Sequence, residues 1–199
     1  MPLHASATAY GDDSSALVAA HLAGDPRAFP GLVALFRSRL HLFLYRMIGD
    51  RERAEDLVQE AFLRVYRHLH RFDSSRKFSS WIYTIATNLG RNELRSRRRR
   101  PLILHESAAP PGIRAPMLEL SDPHTRPDEL FAARELQERL DAAVEQLAAH
   151  HREVFVLREV EGRSYEEIAR ISHCTLGTVK SRLNRARHAF AALIGPDLD

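Results

Sequence analysis

Apolar residues return every three or four positions through most of this 199-residue chain, the spacing that keeps one face of an α-helix greasy. The first such segment, "SSALVAAHLAG", offers a Ser cap and a closing Gly. A second runs through "LVALFRSRLHLFLYRMIGD", with Leu32, Leu35, Phe36, Leu40, Phe43 and Met47 on one side and Gly49 as its stop. Pro30 falls in its first turn, where a missing N–H costs nothing. The third, "RERAEDLVQEAFLRVYRHLHRF", steps through Leu57, Ala61, Val65 and Leu69, and its acids crowd the early turns. After the break "DSSRK", Phe78, Trp81, Ile82, Ile85, Leu89 and Leu94 make the stripe of a fourth helix whose other face grows progressively basic. Trp81, with Ile82 and Ile85 at helix spacing, reads as a core anchor before it reads as a base-stacking ring.

The periodicity then fails. Six of the ten prolines fall between Pro101 and Pro127, and each removes a backbone donor and biases the preceding residue away from helix. This segment is expected to be a linker. Beyond it Leu136, Leu140, Val144 and Leu147 mark one helix, and Val154, Leu157 and Val160 another closed by Gly162. Ser164 with Glu167 has capping-box spacing, which predicts a short helix through "YEEIARI". The turn "SHCT" leads to a further helix from about Thr175, with Leu176, Val179, Leu183, Ala186 and Phe190 on its packing face. Helix, short turn and longer helix is the helix-turn-helix pattern. The expected fold is all-α: a flexible N-terminus (1–13), a helical domain (14–100), a Pro-rich linker (101–130) and a second helical domain (131–195).

Charge sharpens this picture. The net charge is only +3, but the basic residues are clustered. "RNELRSRRRR" at 91–100 sets six Arg against Glu93, and the stretch from Gly162 to Phe190 sets six basic residues against Glu166 and Glu167. Either cluster can neutralise phosphates or coat a solvated helix face. On the last helix the outer positions are Thr178, Lys180, Ser181, Arg182, Asn184, Arg185 and Arg187, without a carboxylate. Arg and Lys donate to guanine acceptors, Asn pairs with adenine, and Ser and Thr hold phosphates, so these types suit a helix lying in the major groove. A solvated helical hairpin remains open on these residues alone.

Other chemistry finds no support. Cys174 is the single cysteine, so no intrachain disulfide can form, and neither a signal sequence nor an apolar run long enough for a bilayer is present. A cytoplasmic setting is expected. "GTVKS" lacks the order of a phosphate loop, no HExxH occurs, and the "HLH" and "HH" pairs lack cysteine or carboxylate partners, so no catalytic residue, metal, cofactor or small-molecule substrate is expected. A two-component DNA-binding regulator would need a receiver domain of alternating strands and helices, whereas residues 14–100 show helical periods only.

In this order, "EDLVQEAFLRVYRHLHRF", "FSSWIYTIATNLGRNELR" and "GRSYEEIARISHCTLGTVKSRLNRAR" resemble the extracytoplasmic-function (ECF) bacterial sigma factors, over nearly all the chain outside its extremities and linker. The resemblance implies a protein that joins core RNA polymerase, directs it to promoter DNA and helps open the duplex, with no covalent chemistry of its own. It implies that Lys180, Ser181, Asn184 and Arg185 read the minus-thirty-five element, with Arg182 and Arg187 on phosphates and Asn184 tuning preference. It further implies that the loop Phe72, Asp73, Ser74, Ser75, Arg76 and Lys77 holds a flipped base of the minus-ten element, beside Thr84, Thr87, Asn88, Arg91 and Asn92 on the following helix. Asp56, Gln59 and Glu60 are implied as polymerase contacts, although composition alone would explain them as helix-start acids. An anti-sigma factor is the implied inhibitory partner.

Overall fold

In a computed structural model, residues 13–99 and 127–195 are described, and among them the chain is helical. The helices are α1 (Asp13–Leu22), α2 (Ala28–Ile48), α3 (Arg51–His68), α4 (Phe78–Arg99), α5 (Pro127–Gln146), α6 (Ala149–Phe155), α7 (Tyr165–Ser172) and α8 (Leu176–Ile194). A 3₁₀ turn, Leu69–Arg71, follows α3, and a π-helical turn, Val156–Val160, extends α6. The expected flexible N-terminus lies outside the described residues except for the start of α1. So does most of the segment expected as linker, in which α5 begins at Pro127.

Local chemistry explains the boundaries. Gly49 ends α2 in the left-handed region at φ 72°, its N–H donating to the Tyr45 carbonyl at 2.7 Å. One residue later Asp50 caps α3, its carboxylate accepting from the Arg53 N–H at 3.0 Å. A two-residue corner therefore suffices to reverse the chain. The N-terminal bundle closes around Leu32, Phe36, Leu40, Phe43, Leu57, Ala61, Val65, Ile82 and Leu89, the stripes read from the sequence. Gly90 marks the close approach of α4 to α2, since a Cβ there would lie 2.7 Å from the Met47 sulfur.

In the second domain the capping box forms as expected: Ser164 Oγ accepts from the Glu167 N–H at 3.1 Å, and a Glu167 oxygen accepts from the Ser164 N–H at 2.9 Å. His173 takes the left-handed conformation, φ 50°, at the turn after α7, and Thr175 caps α8 by accepting from the Thr178 N–H at 3.2 Å. Val179, Leu183 and Ala186 are buried. Leu176, expected among these anchors, is instead 37% exposed. It is the first residue of α8, where the helix has only begun to cross the packed hairpin. Leu136 is likewise exposed, and Trp81 is half-buried against Phe72 and Phe78, with ring centroids at 5.1 and 5.9 Å.

The two domains are not held apart. Helix α4 packs against α7 and α2 against α5, and the buried side chains of both domains join in one continuous cluster.

Candidate nucleic-acid interface

Helix α8 divides as its sequence requires. With Val179, Leu183 and Ala186 turned inward, Lys180, Ser181, Asn184 and Arg185 are exposed and Thr178 and Arg182 half-exposed. Thr178 is engaged locally, its hydroxyl 2.9 Å from that of Thr175, and the Ser181 hydroxyl donates to the Thr178 carbonyl at 3.1 Å. Lys180, Asn184 and Arg185 thus stand exposed on the side of α8 away from its buried residues. Arg187 differs: its guanidinium donates through two nitrogens to one Glu159 oxygen, at 2.9 and 2.6 Å. That hydrogen bond raises the Arg187 pKa further above its ordinary value.

The loop before α4 is prearranged. Asp73 accepts from the Ser75 hydroxyl at 2.7 Å and the Ser75 N–H at 3.0 Å, and its ion pair with Arg76 spans 3.2 Å. The hydrogen bond from Ser75 is the main reason its carboxyl lies below the usual range. Phe72 leans into the Phe78 and Trp81 rings, while Ser74, Ser75, Arg76 and Lys77 are exposed.

Along α4 the expected DNA-facing residues separate. Asn92 is exposed, and Thr84 and Asn88 are half-exposed. Thr87 does not share that face: it is fully buried, and its hydroxyl finds no partner among the described residues. The reason lies in tertiary packing, because this long helix meets α2, α3 and α7 and has less free surface than a peripheral helix of the same sequence.

Arg91 and Lys77 face the second domain. Arg91 makes a two-pronged pair with Glu153, Nε and Nη2 each donating at 2.7 Å, and Nη2 also reaches the Ser172 carbonyl at 2.9 Å. Lys77 donates to Glu167 at 2.9 Å. Burial raises the Glu167 pKa, but the Ser164 N–H and the Lys77 ammonium outweigh it and leave the carboxyl below its ordinary value.

Between these pairs sits a third. Glu161, 4% exposed, accepts from the Tyr83 hydroxyl and from Arg39 Nη2 at 3.0 Å. Arg163 lies over the Tyr83 ring, 4.4 Å from its centroid, and donates to the Ser79 hydroxyl at 2.9 Å. Burial, and secondly the Glu161 charge, push the Tyr83 hydroxyl well above its usual pKa, so it remains a donor. Arg46 with Asp141 at 3.0 Å and Arg152 with the Met47 carbonyl at 3.0 Å complete the polar seam.

The start of α3 is tied to the basic end of α4, Arg53 reaching Glu93 at 2.9 Å and Arg97 reaching Asp50 at 2.8 Å. Asp56 is exposed and paired with Arg53 at 3.3 Å, and Glu60 with Arg64 at 2.5 Å. Gln59 lines a groove of about 480 Å³ with Phe29, Val33, Val58, Phe62, Leu63 and Tyr66. Leu63 and Tyr66 are more than half exposed, an apolar surface beside the acids that periodicity alone did not disclose.

Residues 32–100 match the family model for Sigma-70 region 2, and residues 137–189 that for Sigma-70 region 4. The chain is 34% identical over 167 residues to the ECF RNA polymerase sigma factor SigW of Bacillus subtilis, covering 84% of this chain and 89% of the relative. It is 35% identical over 176 residues to the ECF RNA polymerase sigma-E factor of Escherichia coli, with 87% and 90% covered. This chain belongs to the ECF sigma factors. Among solved structures, the sigma factor resembles CnrH in complex with the cytosolic domain of CnrY, at TM-score 0.67 and 26% identity over 94% of this chain and 99% of that one. It also resembles the sigma factor RpoE bound to the anti-sigma factor NepR from Bartonella quintana, at TM-score 0.63 and 26% identity, with 85% and 98% covered.

Region 2 of the sigma factor thus comprises most of α2 with α3 and α4, and region 4 runs from within α5 into α8. What sequence reasoning missed is the seam between them: Arg39, Tyr83, Glu153, Glu161 and Arg163. Its pairs are 62 to 122 residues apart, beyond any local period. Among the seam acids only Glu167 carries a local signal, its capping-box spacing with Ser164.

Proposed function

We propose that this sigma factor joins core RNA polymerase through α3, with Asp56, Gln59 and Glu60, and directs it to promoters by reading two DNA elements. Region 4 lays α8 in the major groove of the minus-thirty-five element. Lys180, Ser181, Asn184 and Arg185 meet bases and adjacent phosphates there, and Thr178, Arg182 and Arg187 extend the backbone contacts. Region 2 takes a flipped minus-ten base in the loop Phe72–Lys77, with Thr84, Asn88, Arg91 and Asn92 beside it. Extruding a base costs a few kcal/mol, which the pocket and phosphate contacts must offset. The protein performs no covalent chemistry, works in the cytoplasm with polymerase and DNA, and is held in check by an anti-sigma factor.

The observation that carries the reading is α8: buried Val179, Leu183 and Ala186 anchor a helix whose outer face holds Lys180, Asn184 and Arg185 open to solvent. Promoter-library transcription with purified core polymerase, with and without the protein, is the test. Sigma-dependent start sites are expected, and Arg185→Ala should lose them at the upstream element while still pulling down core polymerase. Duplex binding by the protein alone, with no dependent start site in the library, would refute the reading.

A further inference from the structure

Several arginines of this chain meet an acid: Arg39 pairs with Glu161, Arg46 with Asp141, Arg91 with Glu153 and Arg187 with Glu159. One basic group on region 4 does not. His150 and His151, at the start of α6, stand with ring centroids 4.1 Å apart, His150 exposed and His151 half-buried. Helix α6 packs against α8, whose charges bearing on His151 are Arg182 and Arg185, neither with an ion pair among the described residues. The acids of the neighbouring elements are engaged elsewhere. Glu153 holds Arg91, and Asp141 of α5 holds Arg46 of α2. The Glu145 charge bears on Arg152, whose guanidinium turns to the Met47 and Leu147 carbonyls at 3.0 and 3.1 Å. His151 Nε2 is shielded from solvent and has no hydrogen-bond partner among the described residues.

We infer that His150 and His151, with Arg182 and Arg185, form a further phosphate-binding cluster on region 4, which grips the duplex backbone beside the minus-thirty-five bases and strengthens as the imidazoles take up protons. This rests on the assignment of α8 to duplex DNA. Basic groups gathered without a carboxylate repel one another, and an anion seated among them relieves that repulsion. A DNA phosphate is the anion that α8 brings here, because Arg182 and Arg185 belong to the helix that meets the duplex and the exposed His150 stands on the helix packed against it. A neutral imidazole offers a phosphate one N–H, whereas an imidazolium offers two and a positive charge. Burial first, and then the charges of His150, Arg185 and Arg182, hold the His151 imidazole below its ordinary value, so the free protein resists the second form. A bound phosphate acts in the opposite sense and raises that value in the complex. The gain in affinity therefore appears as pH falls through the imidazole pKa of the complex and is complete below that of the free protein.

The test compares the full chain with the same chain carrying H150Q and H151Q, which keep polar side chains but cannot take up a proton. The probe is a duplex of about 20 base pairs, roughly two helical turns, selected by the unsubstituted chain from a random pool. Its binding is followed by fluorescence anisotropy between about pH 7.5 and pH 5.5 at several salt concentrations. The unsubstituted chain should bind about tenfold more tightly at the acid end, as when the imidazole midpoint rises by about one pH unit in the complex. Its dependence on salt should steepen there by about one further phosphate contact. The double variant should show neither change; His173 and His188, exposed elsewhere in region 4, are present in both chains and cancel. An equal response to pH in both chains, with helical circular dichroism intact, overturns the cluster, and loss of binding in Arg185→Ala would then show that the assignment of α8 stands without it. If the unsubstituted chain selects no duplex at any pH, the assignment of α8 fails and the cluster with it. Should the double variant not fold, the His151 imidazole resonance of the unsubstituted chain is titrated with and without the duplex. Its midpoint should rise by about one pH unit, and an unmoved midpoint overturns the proposal.

Discussion

Removing one oxygen from the domain seam, by Tyr83→Phe, is the most discriminating perturbation available. The Tyr83 ring is fully buried, with its edge against Phe43 at 5.3 Å between centroids and the Arg163 guanidinium over its face. A phenylalanine keeps both contacts. What disappears is the hydrogen bond to the Glu161 carboxylate, itself 4% exposed. A hydrogen bond to a charged, buried acceptor contributes about 1.5–3 kcal/mol. Glu161 still has Arg39 at 3.0 Å, so the loss stays short of the roughly 3–5 kcal/mol expected when a buried charge loses its only partner. With the domains parted, water solvates Glu161 whichever residue stands at position 83, so nearly all of this loss falls on the docked arrangement. At about 1.4 kcal/mol per decade, the docked-to-parted ratio should fall roughly 10- to 150-fold. The assay is energy transfer between the domains across a urea or salt titration, followed in parallel by far-ultraviolet circular dichroism. Domain separation should move to lower denaturant while the helical signal holds. An unchanged separation midpoint, or loss of helix together with separation, would refute the assignment of Tyr83 to the seam.

Ser164→Ala removes the cap of α7 and should lower region 4 stability by about 1 kcal/mol, with weaker duplex binding because α7 positions α8; thermal melting and fluorescence anisotropy on minus-thirty-five duplexes check both. Gly49→Ala places a Cβ where φ is 72° and should cost about 1–2 kcal/mol in chemical denaturation, with no change in duplex affinity. Burial raises the Glu93 pKa, but the hydrogen bonds from Arg97 and Arg53 outweigh it and hold the carboxyl below its ordinary value. A carboxyl depressed on folding adds stability that is complete above its unfolded value and is lost as pH falls through the folded one. Melting temperature should therefore drop more steeply for the wild type than for Glu93→Gln between about pH 5 and pH 3; parallel curves would show that Glu93 contributes no such linkage.

The helices were legible because their signals are local. The stripe Leu32, Phe36, Leu40 and Phe43 needs only a 3.6-residue period to be recognised, and the capping box at Ser164 and Glu167 only a spacing of three. Asn184 and Arg185 could be assigned to an outer face for the same reason, once Val179 and Leu183 were taken inward. Leu176 was misjudged because a period does not say where a helix starts to meet its neighbour. Thr87 is placed toward DNA by the resemblance alone, which carries no information on how α4 is enclosed by α2, α3 and α7 in this chain.

Helix positions, turn chemistry and the split between the greasy and basic sides of α8 follow from interactions within a few residues, so the amino-acid order alone determines them. Which charge meets which does not. Arg39 and Glu161 stand 122 positions apart, and Arg91 and Glu153 62. Any of the chain's 29 basic residues could pair with any of its 26 acids as far as composition is concerned. Only the docking of α7 on α4 and of α5 on α2 selects these partners, because desolvated charges tolerate little misplacement and so depend on every contact that brings the two domains together.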